Sequence, residues 1–458
     1  MQISNYKNIF LLAFLLTICS CSVNDYTIDE SNELKIEDLM STAIRQVAFN
    51  QTAILGRSTA VLIQHLEETD NNSSPILTNY NMSSTYLDLF WTEGLYGGSL
   101  KNATDLLNLS QTENSIKGEA VARILLALEL GQATATFGDI PYTEALLGEQ
   151  GLLTPKYDPQ EMIYNDIINH LETAIILINE DTSANLIGGD LLANGDMNRW
   201  EKLAYGLLAR YSIQLSKRDP NNYSKVIPLI EKSFNSIEDQ LEFNFSNSVG
   251  IENPFYSYDV QRPFTFTGNT TFIDKLENNN DPRRNYYFNL NGTFGNLFWS
   301  SETVNIPILS YCELMFMKAE TLLMTGATDD EISEALKAGI QASFDQMDPN
   351  IPGEDYISRK GNLDGLGDPV EKMERIITEA YTSYYGFGWI QAWNNYRRLN
   401  FPVLARTGSV NPLNPKGVLP RRFLYPESAT EFNAENVEEA VNRQGGALLD
   451  QHIWAFDF

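Results

Sequence analysis

Two long apolar segments between Lys117 and Ile178 constrain the fold of this chain more than any other feature. In the first segment apolar residues recur every three or four positions and fill most of the remaining circumference, which predicts a helix covered on several sides. Gly138 is suited to end that helix. Asp158-Pro159 predicts the start of a second helix, with Asp158 as N-cap and proline in the first helical position. One such pair cannot bury its own faces, so the segment predicts a stack of helix pairs.

Other parts of the chain repeat this pattern at irregular spacing, so we expect tetratricopeptide-like pairs rather than a regular solenoid. The clearest pair has Gly326 after its first helix and a capping box at Thr328 before its second. Pro228 is expected to kink one helix. Nothing marks a second domain, and residues 34–458 are predicted to form one all-α unit. Further helices are expected at Leu34 to Phe49, Ala53 to Glu67, Tyr86 to Leu109, Asn198 to Leu215, Asp219 to Phe234 and Asp368 to Tyr384.

The N-terminal residues indicate export. A basic start and an apolar run from Ile9 to Ile18 form a signal peptide, predicted to span residues 1–20, which is too short for a membrane span. The residues before Cys21 fit a bacterial lipobox, which predicts that Cys21 becomes an acylated N-terminus. Residues 21–33 are polar and acidic and are expected to form a flexible tether. The alternative is an ordinary secreted protein cleaved nearby.

Charge and motif content exclude several functions. Sixty acidic against thirty-two basic residues give a net charge of −28, which argues against nucleic acid as a partner. The three histidines are far apart in the sequence, no phosphate loop or serine elbow is present, and we expect no metal, cofactor or catalytic residue. A calcium site at Asn362, Asp364 and Asp368 is the alternative, but Asp368 is better explained as the N-cap of the next helix. A glycoside hydrolase needs only two suitably spaced carboxylates, so the residues alone leave that alternative open.

The candidate ligand residues lie in two irregular regions. One is the long loop from Glu68 to Ser84; the other is an insert at about 246–305, rich in Asn, Gly, Phe and Tyr, in which we expect hairpins around Phe264 to Phe266 and Tyr286 to Phe298. Aromatic rings stack on the apolar faces of sugars, and nearby polar groups bind the hydroxyls. Packing in the core is the alternative for these rings. The predicted contacts are Tyr80, Asn81, Tyr256, Tyr258, Arg262, Phe298 and Trp299.

Several motifs occur in a specific order. After the lipobox come YLDLFWTEGLYGGSLKN at 86–102, GDIPYTEAL at 138–146, PKYDPQEMIYNDI at 155–167 and RRFLYP at 421–426. In this order the motifs resemble the SusD/RagB family of outer-membrane lipoproteins, most closely its SusD-like branch. The segment from Trp393 to Arg398 departs from the pattern, because a glutamate is expected there.

The resemblance implies a tetratricopeptide-like scaffold on which loops and the insert form a binding face. It implies a non-catalytic, lipid-anchored protein at the cell surface that captures a glycan or oligosaccharide and delivers it to a SusC-like TonB-dependent transporter. It transfers no binding residue, since no motif in the ligand loops matches. A glycan-cleaving enzyme, or an adhesive or structural surface lipoprotein, remains the alternative, and peptides or other nutrients remain possible ligands.

Overall fold

The structure is a computed structural model that describes residues 34–69, 75–181, 183, 187–294, 297–405 and 408–456. Cys21, the signal peptide and the whole predicted tether lie outside these residues. The body of the molecule begins at Ile36 and is mostly helical.

The α-helices follow one another along the whole body. They are α1 (Ile36–Thr52), α2 (Ile54–Leu62), α3 (Leu100–Thr112), α4 (Ile116–Phe137), α5 (Gln160–Glu180), α6 (Met197–Gln214), α7 (Tyr223–Ile230), α8 (Pro254–Gln261), α9 (Thr270–Asn278), α10 (Arg284–Tyr287), α11 (Tyr311–Met324), α12 (Asp329–Asp345), α13 (Glu354–Lys360), α14 (Pro369–Ser383), α15 (Trp389–Leu399), α16 (Glu427–Phe432) and α17 (Ala434–Arg443).

Within the described residues, three short antiparallel strand pairs connect separate segments of the chain. They are β1 (Leu66–Glu68) with β5 (Phe266–Gly268), β2 (Ile140–Pro141) with β3 (Tyr157–Asp158), and β4 (Glu242–Asn244) with β6 (Asn305–Pro307). The local hairpins predicted inside the insert are therefore wrong. Its strands pair with chain outside the predicted hairpins, and α8, α9 and α10 occupy much of the remainder.

The predicted helix pairs are confirmed. Helix α4 packs against α5, α6 against α7, and α11 against α12. A β-carbon at Gly131 would lie 2.2 Å from the hydroxyl oxygen of Tyr211, whose O–H donates to the Ala127 carbonyl of α4 at 3.0 Å. Glycine thus lets the side chain from α6 approach the α4 backbone. Helix α4 is long and apolar enough to cross a membrane, but it is almost entirely buried here and is a core helix.

The predicted caps are partly confirmed. The capping box at Thr328 is present, and Asp368 caps α14 by accepting from the Val370 amide at 2.8 Å. The Asp158 cap is wrong: α5 begins one residue later than predicted, and its Gln160 amide donates to Asp139 at 2.8 Å instead. A carboxylate from the connector thus serves the start of α5.

The segment predicted as one helix from Tyr86 to Leu109 has two parts. Phe90–Ser99 is a π-helix, and only then does α3 begin. A β-carbon at Gly97 would lie 2.6 Å from the Thr92 carbonyl oxygen, and one at Gly98 would lie 2.4 Å from that of Glu93. The glycines therefore permit the wider turn, which periodicity alone does not predict.

Candidate functional site

The long loop and the insert meet at the strand pair of β1 and β5. Glu68 of β1 pairs with Phe266 of β5, and the Glu68 carboxylate accepts from the amides of Leu77 at 2.8 Å and Thr78 at 2.9 Å. One short ribbon therefore holds both regions in which the sequence predicted ligand contacts. The chain between them is about 200 residues long, so this convergence depends on the tertiary fold.

Helix α8 of the insert places the side chain of Tyr258 beside the strand pair of β1 and β5. Asn253 caps the helix by accepting from the Phe255 amide at 3.0 Å, and Pro254 occupies its first turn. Phe255 is fully buried, with its ring centroid 4.1 Å from that of Trp299. Tyr258 follows one turn later and is only half-buried. The core below α8 thus fixes the position of Tyr258.

Two arginines lie against the ring of Tyr258. The guanidinium carbon of Arg57, from α2, is 4.0 Å from the ring centroid, and that of Arg262 is 5.1 Å away. Phe266 also stacks on Tyr258, with centroids 5.6 Å apart. We call Arg57, Tyr258 and Arg262 the arginine–tyrosine cluster. The structure brings the predicted residues Tyr258 and Arg262 together and adds Arg57, which sequence reasoning missed.

The cluster contains two cations, and none of the described acids pairs with either of them. Burial lowers the pKa of Arg57, Tyr86 and Tyr258 oppose that shift, and the charge of Arg262 reinforces it. Burial also raises the pKa of Tyr86 to about 12, so its phenol stays protonated at neutral pH. Neither guanidinium forms an ion pair or donates a hydrogen bond to protein in the part of the chain that the structure describes.

An exposed aromatic ring lies on the turn after Arg262. Phe264 is 62% exposed and has a φ of 62°, which is uncommon for a bulky residue. Two bonds hold the turn: Thr69 donates its hydroxyl to the Phe264 carbonyl, and the Thr69 amide donates to the Thr265 carbonyl at 3.0 Å. A ring kept in solvent by a fixed backbone is suited to stack on a sugar.

The other predicted contacts have different positions. Tyr80 is 1% exposed, and its hydroxyl accepts from the Gln64 side chain at 3.0 Å, whereas Asn81 is exposed in the same loop. Tyr256 is half-buried and, two positions before Tyr258, projects from another side of α8. The burial of Tyr80 argues against stacking on a ligand, and we treat its ring as part of the core.

Trp299 and Phe298 point into different surroundings. Trp299 is 2% exposed and packs edge-to-face on Phe255 and Trp389, so its burial likewise argues against direct ligand contact. Phe298 is partly exposed and lines a groove of about 450 Å³ together with Glu242 and Asp345. That groove is separate from the arginine–tyrosine cluster. Trp91, Trp389 and Trp393, whose helical spacing in the sequence is typical of core residues, are buried in the core.

A second concave surface is mainly apolar. This apolar pocket has a volume of about 440 Å³. Among its lining residues Leu153 and Phe432 are 77% and 71% exposed. The π-helix and the GDIPYTEAL connector contribute to its wall, and its principal lining residues are Trp91, Tyr96, Pro141, Leu153, Tyr157 and Phe432.

The described residues offer little for catalysis. His65 is buried between Phe272 and Tyr381, and burial lowers its pKa well below the usual value. Asp281 and Glu379 share Arg283, but both are in the core, at 4% and 3% exposure. Within the residues that the structure describes, no group of three His, Cys, Asp or Glu side chains could hold a metal ion.

Sequence reasoning found the insert but not the residue that enters the cluster from the scaffold. Arg57 lies in a helix whose other residues follow an ordinary apolar pattern, so it looked like part of the framework. The available signal was a lone basic residue in the run ILGRSTAVL of a strongly acidic chain. Phe264 stood in the predicted hairpin, and only its exposure distinguishes it from the buried aromatics nearby.

Comparison with known proteins identifies the family. Solved structures similar to this chain include a chitin-binding protein (22% identity, 93% of this chain and 100% of that chain covered, TM-score 0.76). A SusD/RagB family protein from Bacteroides thetaiotaomicron VPI-5482 is 22% identical, with 92% and 99% covered and a TM-score of 0.74. A Bacteroidetes SusD-like protein reaches a TM-score of 0.79 at 19% identity, with 93% and 100% covered.

No curated protein matches the chain at a significant level. A family model, in contrast, matches most of it. That model is SusD-like, described as starch-binding and associating with the outer membrane, and it matches residues 29–426. The match spans both the helix pairs and the loops that form the candidate site, so the chain belongs to the SusD-like family.

Proposed function

We propose that this protein is a surface lipoprotein that binds a glycan or oligosaccharide and delivers it to a SusC-like TonB-dependent transporter. The observation that supports it most is the family match over residues 29–426, a family described as starch-binding and associating with the outer membrane. The convergence of the long loop and the insert at β1 and β5 supports a binding face there. Exposed Phe264 would stack on a sugar ring, while the guanidiniums of Arg57 and Arg262 would donate to its oxygens.

Two phenylalanines of similar exposure test where the glycan binds. Phe264 is 62% exposed beside the cluster, and Phe432 is 71% exposed at the apolar pocket. Loss of a stacked ring costs roughly 1.5 kcal/mol, about tenfold in affinity. We expect Phe264→Ala to weaken oligosaccharide binding by that factor in titration calorimetry and Phe432→Ala to leave it unchanged. The opposite result would move the site to the apolar pocket.

The ligand screen should contain malto-oligosaccharides, chito-oligosaccharides and acidic oligosaccharides. Saturable binding of any of them supports the proposal. Absence of binding to the whole panel would favour the adhesive or structural alternative. Release of shorter products during incubation would favour the glycan-cleaving alternative, and an unchanged oligosaccharide pattern would remove it.

Anchoring through Cys21 is the second part of the proposal. It is supported by the apolar run and lipobox before Cys21 and by the outer-membrane association of the family. Cys21→Ala should abolish labelling by a clickable palmitate analogue and release the protein from the membrane fraction. Labelling that persists in Cys21→Ala would contradict the lipobox assignment. Co-purification of a TonB-dependent barrel from detergent-solubilised membranes would test the transporter partner.

A further inference from the structure

Each buried arginine among the described residues donates side-chain hydrogen bonds to protein, whereas the guanidiniums of Arg57 and Arg262 donate none. Several buried arginines contact a carboxylate: Arg210 contacts Glu313 at 2.7 Å, and Arg283 contacts Asp281 at 2.7 Å. Acids are not scarce, because they outnumber basic residues sixty to thirty-two. Arg57 is half-buried on α2, yet among the described residues the only hydrogen-bond or stacking partner of its guanidinium is the face of Tyr258. The lack of a hydrogen-bond partner for the Arg57 guanidinium, within the residues that the structure describes, is therefore a property of the site that needs its own explanation.

Arg262 adds a second positive charge at the same ring. A carboxylate near either arginine would relieve their mutual repulsion, but the nearby acids are used elsewhere or do not reach. Glu68 binds the amides of Leu77 and Thr78, and Asp259 forms no ion pair with either arginine in the described part of the chain. No acid among the described residues thus neutralises these two cations.

The geometry favours a planar anion. A guanidinium stacked on an aromatic face keeps its edge free, and that edge carries N–H donors in a fork that matches the two oxygens of a carboxylate. Five N–H donors on each arginine are unused by the described protein atoms. The stack on Tyr258 orients the Arg57 fork before a ligand arrives, which reduces the entropy lost on binding.

We propose that Arg57, Tyr258 and Arg262 form a subsite for the carboxylate of an acidic sugar, so that the ligand of this protein is a uronic-acid-containing glycan. This inference rests on the proposed glycan-binding function and specifies its ligand class. The carboxylate occupies the guanidinium edges, and the sugar ring extends toward Phe264. The net charge of −28 would repel an anionic ligand, and the local positive potential of the two arginines would offset that repulsion at the subsite.

The test compares each acidic ligand with its own neutral form. Oligogalacturonate, alginate oligomers and glucuronoxylan oligosaccharides are titrated beside their methyl esters, together with a neutral malto-oligosaccharide. At least one acid is expected to bind about tenfold or more tightly than its ester, and high salt should reduce that difference. If none of the three acids exceeds its ester while a neutral glycan binds, the inference is overturned and the proposed function stands. If no glycan binds, both fail.

Variants assign the effect to the cluster. Arg57→Gln and Arg262→Gln should each weaken binding of the acid by about tenfold and binding of the ester much less. Arg57→Lys keeps the charge but loses the fork, so it should restore only part of the affinity. Arg45→Gln, at an exposed arginine of α1, is the matched control and should bind like the wild type.

Thermal unfolding of each variant shows that the fold is intact. Arg262 is exposed, so Arg262→Gln tests the subsite even if Arg57→Gln unfolds. If Arg45→Gln weakens binding of the acidic ligand as much as the cluster variants do, the effect is a non-specific attraction between the ligand and the positive charges of the protein, and the inference is overturned. Acid-selective binding that neither cluster variant changes would overturn it too.

Discussion

Replacing Trp299 by alanine tests whether this ring belongs to the framework or to the ligand face. The sequence predicted ligand contact, because Trp299 follows a Gly/Asn-rich loop. In the structure its centroid lies 4.1 Å from that of Phe255, 4.7 Å from that of Trp389 and 5.3 Å from that of Tyr385. Only 2% of the residue is exposed, so substitution should mainly affect stability.

The expected loss follows from the buried area. A tryptophan buries about 200 Å², which at roughly 25 cal/mol per Å² corresponds to about 5 kcal/mol as an upper estimate. Large-to-small changes of buried aromatic residues typically cost about 3–5 kcal/mol, because a cavity adds to the lost transfer energy. The ring also lies against the backbone at Gly386, where a β-carbon would be 2.4 Å from it, so relaxation into the cavity is restricted. We therefore expect Trp299→Ala to lower the free energy of unfolding by about 3–5 kcal/mol.

Urea denaturation followed by circular dichroism measures this loss. Trp299→Phe is the matched control: it keeps an aromatic ring and should cost roughly 1–2 kcal/mol. Glycan binding by the folded fraction of Trp299→Phe should stay close to that of the wild type, because Tyr258 and Phe264 are unchanged. A loss below about 1 kcal/mol in Trp299→Ala, combined with a loss of binding, would refute the core assignment and restore the sequence-based one.

Two further predictions concern buried carboxylates. Burial raises the pKa of Glu129 from 4.5 to about 7, so the folded state binds its proton more tightly and stability falls as pH rises between those values. Glu129→Gln should thus raise the free energy of unfolding by as much as roughly 3 kcal/mol at pH 8 and by little at pH 5. Urea denaturation at both pH values measures this difference. Asp158→Ala leaves the amides of Tyr142 and Thr143 without their acceptor, so it should lower the free energy of unfolding by about 1–3 kcal/mol. Asp158→Asn keeps one acceptor oxygen and should lower it less. Equal stability of the wild type and both variants would contradict this role.

The helix pairs could be predicted because their signals are local. Apolar periodicity located α4, α5, α11 and α12, and the capping box at Thr328 formed as its four residues indicated. The Asp158 cap failed for the opposite reason: a distant connector residue, Asp139, supplied an acceptor for the α5 amide. A local sequence window contains no information on which of two competing carboxylates is nearer.

The candidate site could be predicted only in part for the same reason. The composition of the insert, rich in Asn, Gly, Phe and Tyr, indicated Tyr258 and Arg262 as ligand contacts, and the structure places both in one cluster. Their partner Arg57 lies in α2, and the pairing of β1 with β5 brings it to the insert, which is about 200 residues away in the sequence. No residue near Arg57 in the sequence indicates that pairing. The hairpin prediction was based on strands that are neighbours in the sequence, whereas β5 of the insert pairs with β1, which is distant in the sequence.

Burial, rather than residue type, separates the framework aromatics of the insert from its ligand face. Phe255 and Trp299 have the same composition signal as Tyr258 and Phe264, but the former pair packs inward and the latter pair remains accessible. Substitution of a buried ring such as Phe255 or Trp299 is expected to lower stability, so any loss of binding that follows would be indirect. Phe264→Ala is expected to leave the fold unchanged, because 62% of the residue is exposed. Binding experiments on this protein therefore identify ligand contacts most directly at exposed and half-buried residues, with stability measured beside affinity.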